Sequence, residues 1–480
     1  MTYESVIGLE IHAQILTRTK IFCGCATTFG APPNTHICPV CLGLPGALPV
    51  LNRHAVTLAI RAGLALECAI APESVFARKN YFYPDLPKGY QISQYERPLA
   101  LGGRVWLSAD AKTPVVGITR IHMEEDAGKS LHHGQSDSDR TTSLDFNRSG
   151  VPLIEIVTEP DLRSAADAAE CFERLREILV AIGTNDGNME EGSLRCDANV
   201  SIRPTGTTVF GTKAEVKNLN SFRYLQKALE YEIERQTEVL SSGGRVRQET
   251  RLWDSDLGQT SSMRSKEEAH DYRYFPEPDL APLQVDALWV QTVRETLPEL
   301  PEARKRRLMA AHGLGEYDAD LLVRLIIGGA DYFEAMVAAG ASAKAASNWI
   351  QGEIRRRLKE SGEENMAVVQ ITAHALAGLI GLTERGTISS TVAKDVFEKM
   401  WGTGRTASEV VDAEGLAQIA DTSALEAMVA DVLRENPDAV AQYKAGRNNT
   451  LGFMVGQVMK ASQGKANPKI VSDLLKAALA

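Results

Sequence analysis

The sequence lacks a long apolar run, and this absence excludes a helix that crosses a membrane. Such a helix needs roughly 18 consecutive apolar residues. The most apolar stretch, residues 55–71, is interrupted by Arg61 and Glu67. The N-terminus also lacks the basic start and apolar core of a secretory signal, because Glu4 precedes the first short strand. We therefore expect a cytoplasmic protein.

Acidic residues outnumber basic residues in the chain as a whole, but not at its C-terminal end. The 480 residues carry a net charge of −10, so most of the surface should repel phosphate groups and any contact with nucleic acid must be local. From Lys444 onward, however, six basic residues face a single acid, Asp473. This basic end is either a local site for phosphates or an ordinary solvated terminus.

The sequence also lacks the common phosphate-binding loops. Gly128-Lys129-Ser130 resembles the end of a P-loop, but Met123 stands where the first glycine of that motif is required. No Gly-x-Gly-x-x-Gly follows a predicted strand, and no cysteine has the local context of a glutamine-hydrolysing nucleophile. We therefore expect that the chain does not produce its own ammonia.

The pattern of apolar residues changes near residue 293. Before it, short alternating runs such as residues 7–11 and 194–203 predict strands with one polar face. Prolines cluster between residues 276 and 301, and the sequence beyond them favours helices, such as 345–359 and 390–400. The chain is also too long for a single core. We therefore predict an α+β fold, with a mixed or antiparallel sheet followed by helices.

Four cysteines form two pairs that are typical of a metal site. Cys23 and Cys25 are separated from Cys38 and Cys41 by twelve residues rich in turn formers. Four thiolates at this spacing suit a tetrahedral, structural zinc ion, and His36 is an alternative ligand. The other interpretation is a set of free thiols. The remaining cysteines lie on apolar faces and are predicted to be core residues: Cys68, Cys171 and Cys196.

Carboxylates and a histidine occur where strands are predicted. Glu10 and His12 share one face of the first strand. Residues 124–126 are three consecutive acids at the end of a strand, and Glu155 lies inside an apolar run. Each acid alone could be a salt-bridge partner or part of a solvated turn, but a buried acid needs a partner or a cation. Together they predict a divalent-metal site.

Basic and aromatic residues alternate in the segment 78–91. Lys79, Tyr81, Tyr83 and Lys88 lie there among tight turns, and such a loop can bind phosphates and stack a base. A rigid surface loop is the alternative.

These motifs resemble the B subunits of bacterial aspartyl/glutamyl-tRNA amidotransferases. The resemblance runs from end to end of the chain. The matching segments are residues 6–12, 78–85, 118–129, 151–157, 189–199, 217–222, 271–279, 452–460 and 464–468.

The resemblance implies an ATP-dependent carbon–nitrogen ligase that converts aspartyl-tRNA(Asn), glutamyl-tRNA(Gln) or both into their amides. The side-chain carboxylate of the tRNA-bound amino acid is phosphorylated, and ammonia then replaces the phosphate. A partner glutaminase, the amidase or A subunit, is expected to supply the ammonia, and a small C subunit to complete a heterotrimer.

The resemblance also implies roles for individual residues. Glu10, His12, Glu125 and Glu155 match the magnesium-binding positions of the family, with Glu124 close by in the catalytic set; manganese is an alternative ion because histidine is an unusual magnesium ligand. The implied ATP and aminoacyl pocket consists of Lys79, Tyr81, Tyr83 and Lys88.

The fold implied by the resemblance has three parts. A cradle domain over residues 1–293 contains the kinase site and the cysteine knuckle at 23–41. It is followed by a helical domain over 294–405 and a small helical, YqeY-like tail over 406–480. In the family the tail binds tRNA, and the matching basic residues are Lys444, Arg447, Lys460, Lys465 and Lys469. Some members lack the four cysteines.

Two other interpretations remain at this point. One is the archaeal-type glutamyl-tRNA amidotransferase chain, which shares the cradle but is longer and has an inserted domain. The other is a non-enzymatic tRNA-binding scaffold with a zinc knuckle.

Overall fold

The computed structural model describes residues 2–108, 110–131, 141–263, 272–363, 365–417, 422–447, 449–462 and 466–479. The chain forms two compact units, Met1–Leu300 and Pro301–Ala480. A sheet with packed helices builds the first and helices build the second, so the predicted α+β class is confirmed. The finer division at residues 293 and 405 stays a prediction.

The first unit contains all the strands found in the described residues. The strands are β1 (Tyr3–Gln14), β2 (Ala69–Ile70), β3 (Glu73–Ser74), β4 (Phe76–Asn80), β5 (Tyr90–Gln94), β6 (Ala100–Leu101), β7 (Arg104–Trp106), β8 (Val115–Glu125), β9 (Lys129–Leu131), β10 (Ser143–Asp145), β11 (Pro152–Thr158), β12 (Leu194–Pro204), β13 (Ala214–Lys217), β14 (Glu249–Asp254), β15 (Gln259–Ser262), β16 (Phe275–Pro276) and β17 (Leu283–Gln284). The helices are α1 (Arg53–Ala65), α2 (Ala165–Ala181), α3 (Phe222–Ser241) and α4 (Ala287–Glu295).

A ten-stranded sheet organises this unit, with the order β15-β14-β13-β12-β1-β11-β8-β6-β2 and β7 paired to β8. Its central strands β12, β1, β11 and β8 are antiparallel to their neighbours. Only β13 and β14 form a parallel pair among the described strands of this sheet. Short hairpins elsewhere, including β4 with β5, complete the unit.

Side-chain alternation gives the central sheet one apolar and one polar face. Ile7, Leu9 and Ile11 are buried in the core of the unit, and the alternate residues Glu10 and His12 face the other side. Helices α2 and α3 pack against each other and against β1 and β12. The alternation predicted for β1 and β12 is therefore confirmed, and the polar face is left to carry a site.

Helix α3 begins directly after a serine that caps it. Ser221 is its N-cap and accepts a hydrogen bond from the Tyr224 N–H at 3.0 Å. On its buried face lies Glu232, which is fully inaccessible to solvent and is bound by Arg235 and Arg251. This buried charge network joins α3 to β14.

The second unit is helical throughout its described residues. Its α-helices are α5 (Pro301–His312), α6 (Glu316–Asp320), α7 (Gly329–Ala338), α8 (Ala343–Trp349), α9 (Arg355–Glu360), α10 (Ala373–Glu384), α11 (Ser390–Met400), α12 (Ala407–Glu414), α13 (Thr422–Glu435), α14 (Pro437–Lys444), α15 (Thr450–Ala461) and α16 (Pro468–Leu479). Leu321–Leu325 and Ile350–Ile354 are π-helical, and Met366–Val368 is a 3₁₀ turn.

Two separate apolar clusters stabilise the second unit. One lies among residues 308–411 and the other among residues 425–479. The predicted helix 390–400 is observed with the same bounds, and α16 begins at Pro468 with the Asn467 side-chain oxygen accepting from the Lys469 N–H at 2.9 Å. The predicted helix 345–359 differs, because a π-helical turn at Ile350–Ile354 separates α8 from α9.

None of the helices in the described part of the chain combines the length and the apolar character that a membrane crossing requires.

Candidate functional site

The centre of the polar sheet face carries two histidines and two glutamates. His12 of β1 is paired in register with Glu155 of β11, and Glu155 is paired with His122 of β8. Glu124 lies two residues beyond His122, so it projects to the same face. Three adjacent strands therefore bring these four side chains together.

Three members of this group are arranged as ligands of a metal ion. One atom each of His12, Glu124 and Glu155 lies within 4.8 Å of the others. His12 Nε2 is 3.6 Å from a Glu124 oxygen and 3.5 Å from a Glu155 oxygen. An imidazole nitrogen and two carboxylates form a donor set that suits a divalent cation with open positions for a substrate.

Electrostatics holds both carboxylates in the charged form. Burial alone would raise the pKa of Glu155, but His122 and His12 overcome this effect and hold it well below its usual value. The pKa of Glu124 is also lowered, because His122 and His12 outweigh the effect of its burial. Burial lowers the pKa of His122, but Glu155 and Glu124 raise it overall to about 9. The charge of the two histidines therefore balances the two carboxylates, and a bound cation would take the place of that charge.

Glu125 does not lie in this group, although the resemblance places it there. It follows Glu124 in the same strand, so its side chain points away from His12. Its carboxylate pairs with Lys88 and accepts a hydrogen bond from the Ile92 N–H at 2.8 Å. The alternation of side chains along β8 is the physical reason for this difference.

Glu10 lies on the polar face but outside the three-ligand cluster. It precedes His12 by two residues in β1, and its carboxylate accepts a hydrogen bond from Asn199 at 2.9 Å. Burial, Glu155 and Glu215 raise its pKa. Glu10 therefore extends the acidic surface along β1 without joining the atoms that lie within 4.8 Å of one another.

Aromatic residues border the cluster. Tyr81 and Tyr272 pack edge to face at 6.0 Å, and the Lys79 amine lies 4.8 Å from the centre of the Tyr272 ring. Burial, followed by the charge of Glu124, raises the pKa of Tyr81. Tyr83 is exposed and lies at the tip of the same loop. The implied pocket residues Lys79 and Tyr81 thus lie near the cluster.

Sequence reasoning missed a second charged group on the same face. Asp126 accepts hydrogen bonds from Gln14 at 2.9 Å and from Arg195 at 3.2 Å, and its carboxylate lies 3.7 Å from Arg148. Both arginines, together with Lys129, line a cavity of about 450 Å³. The alternating polar residues of β12 could have indicated this group, because Arg195 is one of them and is paired in register with His12.

The four cysteines of the knuckle meet as predicted. The sulfur atoms of Cys23, Cys25, Cys38 and Cys41 lie within 4.8 Å of one another, which is a geometry that can hold a metal ion. His36 is not part of this group. A hydrogen bond from Cys23 lowers the pKa of Cys41 to about 4, which favours a thiolate ligand.

The other three cysteines are buried core residues, as predicted from their apolar surroundings: Cys68, Cys171 and Cys196.

Comparisons with known proteins identify the family. The family profile described as the GatB/GatE catalytic domain matches residues 5–291, and the GatB domain matches residues 331–479. The B subunit of the aspartyl/glutamyl-tRNA(Asn/Gln) amidotransferase from Geobacter sulfurreducens is 53% identical over 475 residues, covering 99% of both chains. The protein of the same name from Moorella thermoacetica is 55% identical over 478 residues, again covering 99% of both.

The chain belongs to the family of aspartyl/glutamyl-tRNA(Asn/Gln) amidotransferase B subunits. Membership assigns it the function of the B subunit in a tRNA-dependent amidotransferase, a ligase-type, ATP-binding enzyme of translation. The interpretation as a non-enzymatic zinc scaffold is therefore wrong. The full-length match to B subunits also leaves no room for the inserted domain of the archaeal-type chain.

The predicted tRNA-binding residues belong to the second unit of the chain and lie within the matched GatB domain. Lys444 and Lys460 lie in the last turns of α14 and α15, Arg447 lies between these helices, and Lys469 lies at the start of α16. All four are exposed. Lys465 lies outside the described residues.

Proposed function

We propose that the chain phosphorylates the side-chain carboxylate of aspartyl-tRNA(Asn), glutamyl-tRNA(Gln) or both at the cluster of His12, Glu124 and Glu155. The observation that carries this proposal is the convergence of three ligand atoms within 4.8 Å on the polar sheet face. The product is an acyl phosphate, and ammonia displaces its phosphate to form the amide.

Phosphorylation is required because a carboxylate resists attack by ammonia. Its negative charge repels the lone pair of the nucleophile, and its oxygen is a poor leaving group. Transfer of the γ-phosphoryl group from ATP breaks the bond between the β–γ bridging oxygen and the γ-phosphorus, and forms a bond from that phosphorus to the carboxylate oxygen. Ammonia then adds to the carbonyl carbon, and inorganic phosphate leaves with the former carboxylate oxygen.

The cluster would hold magnesium, with manganese as the alternative ion. A bound divalent ion neutralises charge on the phosphate oxygens during transfer. His122 orients Glu155 from the side opposite His12, since its Nε2 lies 3.1 Å from the Glu155 carboxylate. Glu10 adds negative charge beside the cluster and is fixed by Asn199.

Residues at the end of β4 and in the loop after it would line the ATP and aminoacyl pocket: Lys79, Tyr81, Tyr83 and Lys88. Their cations can pair with phosphates, and their rings can stack on a base. The support is the position of Lys79 over Tyr272 and the proximity of Tyr81 to Glu124.

The partners we propose are an amidase that hydrolyses glutamine (the A subunit), the small C subunit, and the tRNA itself. The buried positions of Cys68, Cys171 and Cys196 support this division, because a glutamine-hydrolysing thiol must be accessible to substrate. The exposed basic residues of the tail are suited to phosphate contacts with tRNA. We further propose that the four clustered cysteines hold a structural zinc ion.

Reconstitution tests the proposed reaction. The complex of the chain with its two partner subunits is assayed for amide formation on each mischarged tRNA, with ATP or glutamine withheld in turn. We expect amide only when ATP and an ammonia source are both present, and ATP hydrolysis only when mischarged tRNA is added. Amide formation without ATP would contradict the proposal.

The division of labour has its own test. The purified chain alone is incubated with glutamine, and glutamate release is measured. We expect negligible hydrolysis, while ammonium chloride should replace glutamine in the amidation reaction. Robust glutamine hydrolysis by the isolated chain would show that it carries its own glutaminase site.

A further inference from the structure

The second pair of cysteines lies at a tight turn that ends in a left-handed glycine. The Cys41 sulfur accepts a hydrogen bond from the Cys38 N–H at 3.2 Å. The Gly43 N–H then donates to the Val40 carbonyl at 3.0 Å, and Gly43 has a φ of +64°. A residue with a side chain is strained in this conformation, so glycine is favoured here.

Gly43 lies directly against Lys88. A Cβ atom added to Gly43 would lie 2.3 Å from the Cγ of Lys88 and 3.3 Å from its Cα. The first of these distances is far below van der Waals contact, so only a glycine leaves room for the lysine side chain. The cysteine turn and the Lys88 side chain therefore occupy adjoining space with no gap between them.

The other end of Lys88 reaches Glu125. Its amine pairs with the Glu125 carboxylate, which is also fixed by the Ile92 N–H. Cys23 and Cys41, on one side, and Lys88 and Glu125, on the other, line a single cavity of about 150 Å³. The knuckle and the end of strand β8 are thus connected by one lysine side chain.

We propose that the turn formed by residues 38–44 positions Lys88 through its contact with Gly43, and that metal held by the four cysteines fixes this turn. The inference rests on the function proposed above, in which Lys88 lines the pocket. Lysine has a flexible side chain that loses much rotamer freedom when it is fixed. A rigid turn against its stem holds the amine in place before substrates bind.

The metal would fix the turn because the four sulfur atoms bring the turn together with the segment that precedes it. Cys38 and Cys41 belong to the turn, and Cys23 and Cys25 belong to the preceding segment. A metal ion bound by all four converts two segments into one rigid knuckle. Coupling between two sites is reciprocal, so a change at Lys88 must also alter the binding of the metal.

Two glycines of the same loop provide a matched pair of variants. Gly46 has a φ of +85°, and a Cβ there would meet nothing within 4 Å. Gly43→Ala and Gly46→Ala therefore impose similar backbone strain, but only the former reaches Lys88. Both are made in the complex with its partner subunits, and ATP hydrolysis that depends on mischarged tRNA is measured.

We expect Gly43→Ala to lower kcat roughly ten- to hundredfold, as misplacement of a positioning group does, and Gly46→Ala to stay within about twofold of the unchanged protein. Removal of the cysteine-bound metal should lower kcat of the unchanged protein by a similar factor. In the Gly43→Ala variant, removal of the metal should lower kcat little further, because the substitution and the loss of metal both act through Lys88.

A second measurement does not depend on activity. A chromogenic chelator is added to the zinc-loaded complex, and the rate of zinc release is followed. We expect Gly43→Ala and Lys88→Met each to change this rate roughly tenfold, in the range found for residues that support a metal site, and Gly46→Ala to leave it unchanged. Lys88→Met tests the contact from its other side if Gly43→Ala fails to fold.

Equal behaviour of the two glycine variants in both assays would overturn the inference, as would a kcat that is unaffected by metal removal. Failure of the proposed function gives a different result. In that case the unchanged complex shows no ATP hydrolysis dependent on mischarged tRNA, while the zinc-release comparison still reports whether Lys88 and the knuckle are coupled.

Discussion

Glu124 and Glu125 are consecutive residues of one strand, and their carboxylates meet oppositely charged partners on opposite sides of it. Glu124 lies 3.6 Å from His12, whereas Glu125 pairs with Lys88. The strand β8 therefore supplies one acid to the candidate metal cluster and the next acid to the lysine that the cysteine knuckle contacts.

This separation predicts different effects of the two amide variants on the magnesium requirement. Glu124→Gln removes a charged ligand, so the magnesium concentration for half-maximal ATP hydrolysis should rise about 10–100-fold. Glu125→Gln weakens the hold on Lys88 and should lower kcat without shifting that concentration. A magnesium titration of both variants measures this. A larger shift for Glu125→Gln would show that the ligand role belongs to Glu125 instead.

Lys20 predicts a stability effect at the knuckle. Its side chain is fully buried, and its amine donates to the carbonyls of His36 at 2.8 Å and Phe146 at 3.2 Å. Lys20→Met should lower the free energy of unfolding by about 1–3 kcal/mol, because two partly buried carbonyl oxygens lose their donor. Urea unfolding with chelator present isolates this effect from metal binding. The exposed Lys112→Met is the control, and equal stability of the two would contradict the prediction.

The buried carboxylate of Glu232 predicts a larger loss of stability. It accepts hydrogen bonds from Arg235 at 2.5 Å and from Thr260 at 3.1 Å, and it lies 3.2 Å from Arg251. Glu232→Ala should cost about 3–5 kcal/mol, because it removes the fully buried carboxylate that two arginines share. Glu230→Ala, on the exposed side of α3, should change stability by about 0.5 kcal/mol or less. Thermal or urea unfolding measures the loss of stability in both variants. Equal losses would contradict the prediction that the Glu232 network stabilises the fold.

The basic residues of the tail predict a salt-dependent interaction with tRNA. Alanine variants of Lys444, Arg447, Lys460 and Lys469 should each weaken tRNA binding, and each lost phosphate contact should reduce the salt slope by about one unit. Their exposure means that folding should be unaffected. Filter binding across a range of salt measures both quantities. Lys227→Ala, an exposed change in α3, should leave the slope unaltered.

The parts of the fold that follow from local chemistry were predictable. Period-two alternation predicted the polar face of β1, and the helix-favouring composition beyond residue 293 predicted helix Ser390–Met400. The segment 345–359 has the hydrophobic period of a helix, as predicted. At Ile350–Ile354 its backbone hydrogen bonds are π-helical, and this local change does not alter the pattern of apolar residues in the sequence. Periodicity therefore cannot locate such a turn.

The candidate site was predictable only in part. Consecutive acids at 124–126 show that carboxylates lie at the end of a strand, but not which of them faces His12, because that depends on the register with β11. His122 shares the face of Glu124 and could have been found from their spacing of two. Arg195 needed the pairing of β1 with β12, which is a contact between residues far apart in sequence.

The cysteine loop is attached to the sheet at a point remote from its sulfur atoms. Asn34 exchanges hydrogen bonds with the backbone of Leu144 and Phe146, and the His36 N–H donates to Asn147. These hydrogen bonds hold residues 34–36 of the loop against residues 144–147 without involving a thiol. Loss of a metal ion from the four cysteines should therefore loosen the turn at residues 38–44 while the middle of the loop stays attached.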